Sequence, residues 1–314
     1  MTVCVTPRER FSCAVDSLKN IAANTEPPFK LVYIDANSPH SIAQPLADIC
    51  AQNGFEYLRV DEYLPPNCAR NMALAKVDTP FVAFVDNDLF VQPGWLKALL
   101  HCADDTGAWA VSPVVLEGGA ALKIVHMAGG DLMEEQVNGY NRMRQQHRHM
   151  KLPLRNVRGQ LRRESVDFFE FHCVLLRRDV FADRAFLDEG FLSHQEHLDV
   201  AREIRTAGGK VYLEPESIVR YDTARKFRDY DRAFFELRWS EDWSDRSIEH
   251  ARKKWNLAPD DPGLARLKQW TGIHRELFRQ TQKPWIVQAL PKAGRRVVAT
   301  WLRKHKLLQP RRKL

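Results

Sequence analysis

Short apolar runs and amphipathic stretches alternate along the first hundred residues. Thr2–Thr6 (TVCVT) and Phe29–Ile34 (FKLVYI) are β-type runs, and between them Phe11, Ala14, Val15, Leu18 and Ile21 recur at helical spacing. Ile42–Asn53 predicts a second helix stopped by Gly54, Glu56–Val60 a third strand, Asn67–Ala75 a helix and Phe81–Val85 a fourth strand. Pro93–Cys102 follows as a helix with proline near its first turn. This alternation predicts parallel βαβ units: an α/β fold whose Rossmann-like, mostly parallel sheet is flanked by helices. In such sheets ligands bind beyond the carboxyl ends of the strands.

After residue 108 the pattern changes. Trp109–Leu116 and Lys123–Met127 read as strands, and residues 138–164, rich in Arg, His and Gln, as a mobile loop. Val166–Leu176 is strand-like, Glu196–Thr206 a helix closed by Gly208–Gly209, and Val211–Leu213 a strand. From Phe227 to Trp255 the chain is helical, amphipathic and rich in Trp and Arg. The expected organisation is one α/β domain over 1–222, with halves at about 1–108 and 109–222. A helical C-terminal extension over 223–282 and a basic amphipathic tail over 283–314 follow.

No apolar run approaches the ~18–20 residues that span a bilayer, and the N-terminus lacks a signal-peptide pattern, so a cytoplasmic protein is expected. The six cysteines form no CxxC pair and read as reduced, buried thiols. The net charge of +7 is uneven. From Lys283 to Leu314 there are ten Lys or Arg and no acid, which leaves 37 basic against 40 acidic side chains, or −3, in the first 282 residues. The basic balance therefore belongs to the tail and does not argue for nucleic acid. Trp285, Ile286, Leu290, Val297, Trp301 and Leu302 interleave with those charges, as in a helix lying on an anionic membrane surface. The tail predicts a peripheral place on the inner face of the cell membrane.

Two aspartates, Asp86 and Asp88, flank Asn87 where the fourth strand meets a turn. Adjacent carboxylates repel unless a cation joins them, although a DxD alone is most often turn chemistry. Asp35 ends an earlier strand, and Arg70 lies in the helix before the DxD strand. Downstream, Glu196, Asp199 and Glu203 share one helix face, with His194 and His197 nearby, and offer a general base and a metal ligand.

The order of TVCVTPRER, LVYIDANSPHS, NCARNMALAKVDTPFVAFVDNDLFVQPGWLKAL, FHCVLLRRDVF and EHLDVAREIRTAGGKVYLEP resembles a family-2-type glycosyltransferase of the GT-A fold, over about residues 2–222. The resemblance implies a nucleotide-diphosphate-sugar donor and a glycan or glycolipid acceptor, with inverting transfer in surface polysaccharide, lipopolysaccharide or glycolipid assembly. On the donor side it implies Thr6, Arg8, Asp35, Arg70, Asp86, Asn87 and Asp88. Asp86 and Asp88 would hold Mn2+ or Mg2+. Glu170 and His172 would line the acceptor side. At the base position the family has Glu-Asp-x-Asp, and this chain reads Glu196-His197-Leu198-Asp199. Three readings follow: Glu196 as base with Asp199 in support, which is preferred; an imidazole base at His197; or an impaired site. The histidine that relatives carry after the final proline, a metal ligand, is absent; Arg220 stands nearby as a substitute charge or a surface arginine. Two alternatives stand beside the enzyme. One is a non-catalytic sugar-nucleotide or glycan binder of the same fold. The other is a sugar-1-phosphate nucleotidyltransferase, disfavoured because residues 6–23 hold no glycine to cradle phosphate.

Overall fold

The structure is a computed structural model that describes residues 1–121, 123–181 and 187–281. The basic tail at 283–314 lies outside the described residues. The chain divides into two units, Met1–Thr271 and Gly272–Leu314. Of the second, the described part is the end of one helix.

The first unit opens with β1 (Thr2–Thr6), α1 (Ala14–Asn24), β2 (Lys30–Ala36), α2 (His40–Asn53), β3 (Glu56–Val60), α3 (Pro66–Leu74), β4 (Phe81–Asp86), β5 (Leu89–Val91) and α4 (Trp95–Thr106). It continues through β6 (Ala110–Glu117), β7 (Ile124–Met127), β8 (Gly130–Val137), β9 (Tyr140–His147), α5 (Leu154–Val157), β10 (Glu164–Val166) and β11 (Cys173–Arg177). Then come α6 (Glu196–Thr206), β12 (Val211–Tyr221), α7 (Arg232–Arg238), α8 (Glu241–Lys254) and α9 (Pro262–Thr281), the last of which passes into the second unit.

The main sheet runs β10-β12-β6-β11-β4-β1-β2-β3. Parallel pairing joins β3, β2, β1 and β4, and also β6 and β12. β11 lies antiparallel between β4 and β6, so those two groups point the same way and their carboxyl ends share one edge. β1 and β4 are almost wholly buried, because helices cover both faces. The register pairs Thr6 with Asp86 at that edge, and the Asp86 N–H donates to the His172 carbonyl at 3.0 Å. The segments expected on the donor and acceptor sides therefore meet where β4 ends.

Three expectations change. Residues 138–164, expected as a mobile loop, contain β9, α5 and the first residue of β10. The hairpin β8–β9 turns at Asn138 and Gly139, whose φ angles of 51° and 81° suit those two residue types. Val166–Leu176, expected as one strand, is split: β10 ends at Val166 and β11 begins at Cys173, leaving irregular backbone that carries Glu170 and His172. The first unit also takes in most of the helical extension. Asp231, just before α7, accepts the N–H groups of Phe11 (2.7 Å) and Ser12 (3.1 Å), tying those helices to the loop after β1. The six cysteines are free, and five are buried.

Candidate active site

A cavity of about 350 Å³ opens beyond the carboxyl ends of β1 and β4. Arg8, Arg70 and Asp86 of the expected donor set line it, with Glu170 and His172 of the acceptor set and Glu196 and His197 of α6. Its remaining wall comes from β7 to β9, with His126 and His147, and from the stretch α7 to α9, with Arg238, Trp239, Trp255 and Trp270. A larger, more open groove of about 780 Å³ lies at the other end of β4, among Leu74, Pro80, Phe81 and Arg177, and holds none of the candidate residues.

Five expected site residues do not line the cavity. Asp35 is 1% exposed and fully partnered: Ser38 N–H and Oγ–H, Tyr57 O–H and Arg59 Nη1 all donate to it at 2.6–3.0 Å. Thr6 accepts the Asn87 N–H through its carbonyl, at 2.9 Å. The Asn87 side chain accepts from Arg8 N–H (3.2 Å) and donates to the Arg10 carbonyl (2.9 Å), clamping the loop after β1. Asp88 is fully buried behind Asp86 and takes the Arg10 Nε–H at 3.2 Å. Asp199, expected to support Glu196, is turned the other way: it accepts from Lys254 Nζ (2.8 Å) and Trp255 Nε1 (3.3 Å) and anchors α8. Glu196 and Asp199 are three residues apart, but the first turn of α6 gives one to the cavity and the other to the helix packed behind.

A family model described as glycosyl transferase family 2 matches residues 3–184, more than half of the 314. The chain belongs to glycosyl transferase family 2. A curated relative, the pre-mycofactocin glycosyltransferase of Mycobacterium tuberculosis, is 30% identical over 166 residues, 52% of this chain and 32% of the relative. The chain thus spans about a third of the length of the curated relatives it matches. Among solved structures, GalNAc-T7 with UDP, GalNAc and Mn2+ aligns at a TM-score of 0.56 and 18% identity, over 89% of this chain and 55% of that one. TarS 1–349 of S. aureus, in complex with UDP-GlcNAc, aligns at 0.53 and 13% identity, over 93% and 76%. At these identities the likeness is one of fold, and the fold is GT-A.

Within this family 2 chain, the electrostatics of the cavity rest on buried arginines. Glu196 Oε1 lies 3.6 Å from Arg70 Nη1 and 3.4 Å from Arg238 Nη2. Burial alone would raise the Glu196 carboxyl, but Arg238 and Arg70 outweigh it and hold it below the usual range. Asp86 lies 3.5 Å from Arg8 Nε and 3.6 Å from Arg70 Nη2, ion pairs too long to count as hydrogen bonds. Burial wins there against Arg70 and Arg8 and pushes Asp86 up to about 7. His197 is enclosed, and burial keeps its ring neutral, below 6.5; its Nε2 has no hydrogen-bond partner. Arg70 is further fixed by Asn67 Oδ1 at 3.2 Å and by the Phe171 ring, 4.0 Å below its guanidinium.

The Asp86–Asp88 pair does not fit the divalent ion the resemblance implies. Arg10 Nε faces Asp88, while its other nitrogens donate to the carbonyls of Asp222 and, at 3.1 Å, Arg225. A cation already faces Asp88, as guanidinium, and burial and position keep Asp88 from the cavity lining. Arg220 offers no substitute charge to the cavity. Strand alternation sends it to Gly118, Asp222 and the Phe90 ring, while Tyr221, its neighbour, stacks on His172.

Sequence reasoning passed over Arg10, Glu117, His126, His147 and Arg238. Arg10 was visible in PRER, two residues past Arg8. Arg238 stood between Leu237 and Trp239 in the aromatic-rich FFELRW, a hint that it is buried. Nothing in the spacing pointed to His126 or His147, because β7 and β9 approach Glu170 only through the tertiary fold.

Proposed function

We propose that the protein is an inverting glycosyltransferase that moves a sugar from a nucleoside diphosphate sugar to an acceptor hydroxyl. One observation carries the reading. In a family 2 chain, a single cavity brings together the guanidiniums of Arg8, Arg70 and Arg238, among the arginines that line it, and an imidazole with a free nitrogen, His197. The acceptor oxygen attacks the anomeric carbon, and its proton passes to His197 Nε2. The bond from that carbon to the diphosphate oxygen breaks, and its electron pair leaves with the nucleoside diphosphate. The arginines offset the charge that grows on the leaving group, from positions the fold already fixes.

Glu196, between two guanidiniums, is a weak base whose work is to hold Arg70 and Arg238 in position. His197 is neutral and unpartnered, which suits it better to take a proton near neutral pH. Trp239, Trp255 and Trp270 supply aromatic faces suited to the C–H faces of a sugar or to a lipid chain. They support a glycan or glycolipid acceptor of the kind used in surface polysaccharide or lipopolysaccharide assembly. No helix among the described residues is long and apolar enough to cross a membrane. Contact of the 283–314 tail with an anionic membrane surface belongs to the same reading, supported by its charge and apolar interleaving.

The test is a panel of UDP, GDP, CDP and dTDP, read by thermal shift, followed by the matching nucleotide sugars, read by release of nucleoside diphosphate. One nucleotide should raise the melting temperature, and its sugar should be hydrolysed slowly. Binding without turnover on any donor or acceptor would make the protein a binder rather than an enzyme. No nucleotide binding at all would overturn the reading.

A further inference from the structure

Three side chains in the cavity wall converge without being accounted for by sugar transfer. His126 comes from β7, and Glu170 and His172 come from the irregular segment before β11. Their ligand atoms lie within 4.8 Å of one another. The two histidines approach one carboxylate oxygen, Glu170 Oε2, through their Nε2 atoms at 3.1 and 3.3 Å. Ligands about 2.1 Å from a common tetrahedral ion stand about 3.4 Å apart, so the spacing is already close to that of a metal shell.

A second layer supports the first. The far nitrogen of each histidine faces a carboxylate: His126 Nδ1 is 2.9 Å from Glu117 Oε2, and His172 Nδ1 is 3.2 Å from Asp86 Oδ2, slightly off hydrogen-bond geometry. The other oxygen of Glu170 accepts from His147 Nε2 at 2.7 Å. Metal-ligating histidines usually have such a carboxylate behind them, which fixes the ring and turns the other nitrogen toward the ion. The register of β6 against β7, with Glu117 opposite Ile124, brings Glu117 to His126. The two rings also meet edge to face at 4.9 Å, so they converge without stacking.

We propose that His126, Glu170 and His172 bind one first-row transition-metal ion of the zinc type. Two imidazoles and a carboxylate suit such an ion and not magnesium, which takes an all-oxygen shell. The site stands on this donor set, apart from the Asp86–Asp88 pair, and holds whether or not the cavity transfers sugar.

The experiment uses the full chain without a histidine tag, stripped with chelator and titrated calorimetrically with Zn2+, with Mg2+ as control. One Zn2+ per chain is expected and no Mg2+. His126→Ala should abolish or greatly weaken binding. Glu117→Gln, which leaves every ligand in place, should weaken it 10–100-fold and carries the test should His126→Ala fail to fold. Absence of stoichiometric Zn2+ binding overturns the inference, and so does binding unchanged in both variants. Nucleotide binding measured on the same samples separates this outcome from failure of the sugar-transfer reading.

Discussion

The carboxylates at the sheet edge and the imidazoles beside them meet burial in opposite ways. Asp35, Asp86, Asp88 and Glu196 each have a guanidinium at 2.7–3.6 Å. The guanidiniums cannot release a proton and fix this part of the site, although at Asp86 burial still prevails over Arg70 and Arg8 and lifts the carboxyl to about 7. His172, buried, and His197, half-buried, are both held below the ordinary imidazole range, and His197 retains a free nitrogen, whereas, against burial, Glu170 and Glu117 raise His126 to about 9. Imidazoles can take a proton, give one or accept a metal, so that part of the site can change state. A buried charge pair thus holds geometry here, and a buried neutral ring is available for chemistry.

The sharpest way to break the comparison is at Arg10. Arg10→Met leaves Asp88 as an unpaired buried charge and should cost about 3–5 kcal/mol in denaturant unfolding. Arg10→Met/Asp88→Leu should recover most of that loss. If the double variant is as unstable as the single, Asp88 is not the charge Arg10 balances. Next comes His197. His197→Ala should lower kcat about 100-fold with the unfolding midpoint nearly unchanged, while Glu196→Gln should raise KM and lower stability by releasing Arg70 and Arg238. Equal kcat losses with no change in stability would erase the division between framework and base.

The smallest effect is expected at Asp188, a carboxylate held by lysine and histidine. Its partners are Lys254 Nζ at 2.7 Å and His250 Nε2 at 2.9 Å. Burial opposes them, but they hold the carboxyl down at about 2 against an ordinary 3.8. Because the folded value is the lower, the stabilisation is present above pH 4 and is lost as pH falls from 4 to 2. Allowing for its partial exposure, about 1–2 kcal/mol is at stake. Asp188→Asn should trail the parent by that amount in urea at pH 6 and match it near pH 2.

The first half of the fold was legible because its central strands β1, β2 and β4 are buried on both faces and read as apolar runs, as in VAFV before Asp86. The β8–β9 hairpin was less so: its strands carry Glu, Gln, Arg and Asn, and only Asn138-Gly139 signalled the turn. The candidate site divides along the same line. Arg70, Asp86 and Glu196 stand where strands end or helices begin, positions that local pattern locates. His126, His147 and Arg238 reach the cavity by long-range packing, which no periodicity encodes. Asp199 shows the limit of helix-face reasoning, since α6 is packed on both sides and its acidic face divides between cavity and core.

The family match ends at residue 184, whereas Arg238, Trp239, Trp255 and Trp270 all come from α7 to α9. One surface of the cavity is thus built from chain that the shared part does not specify. That surface can be exchanged as one cassette that leaves residues 3–184 untouched. Arg238 sets the condition on any exchange. Its Nη2 lies 3.4 Å from Glu196, and a graft that dropped it would leave that buried carboxylate to Arg70.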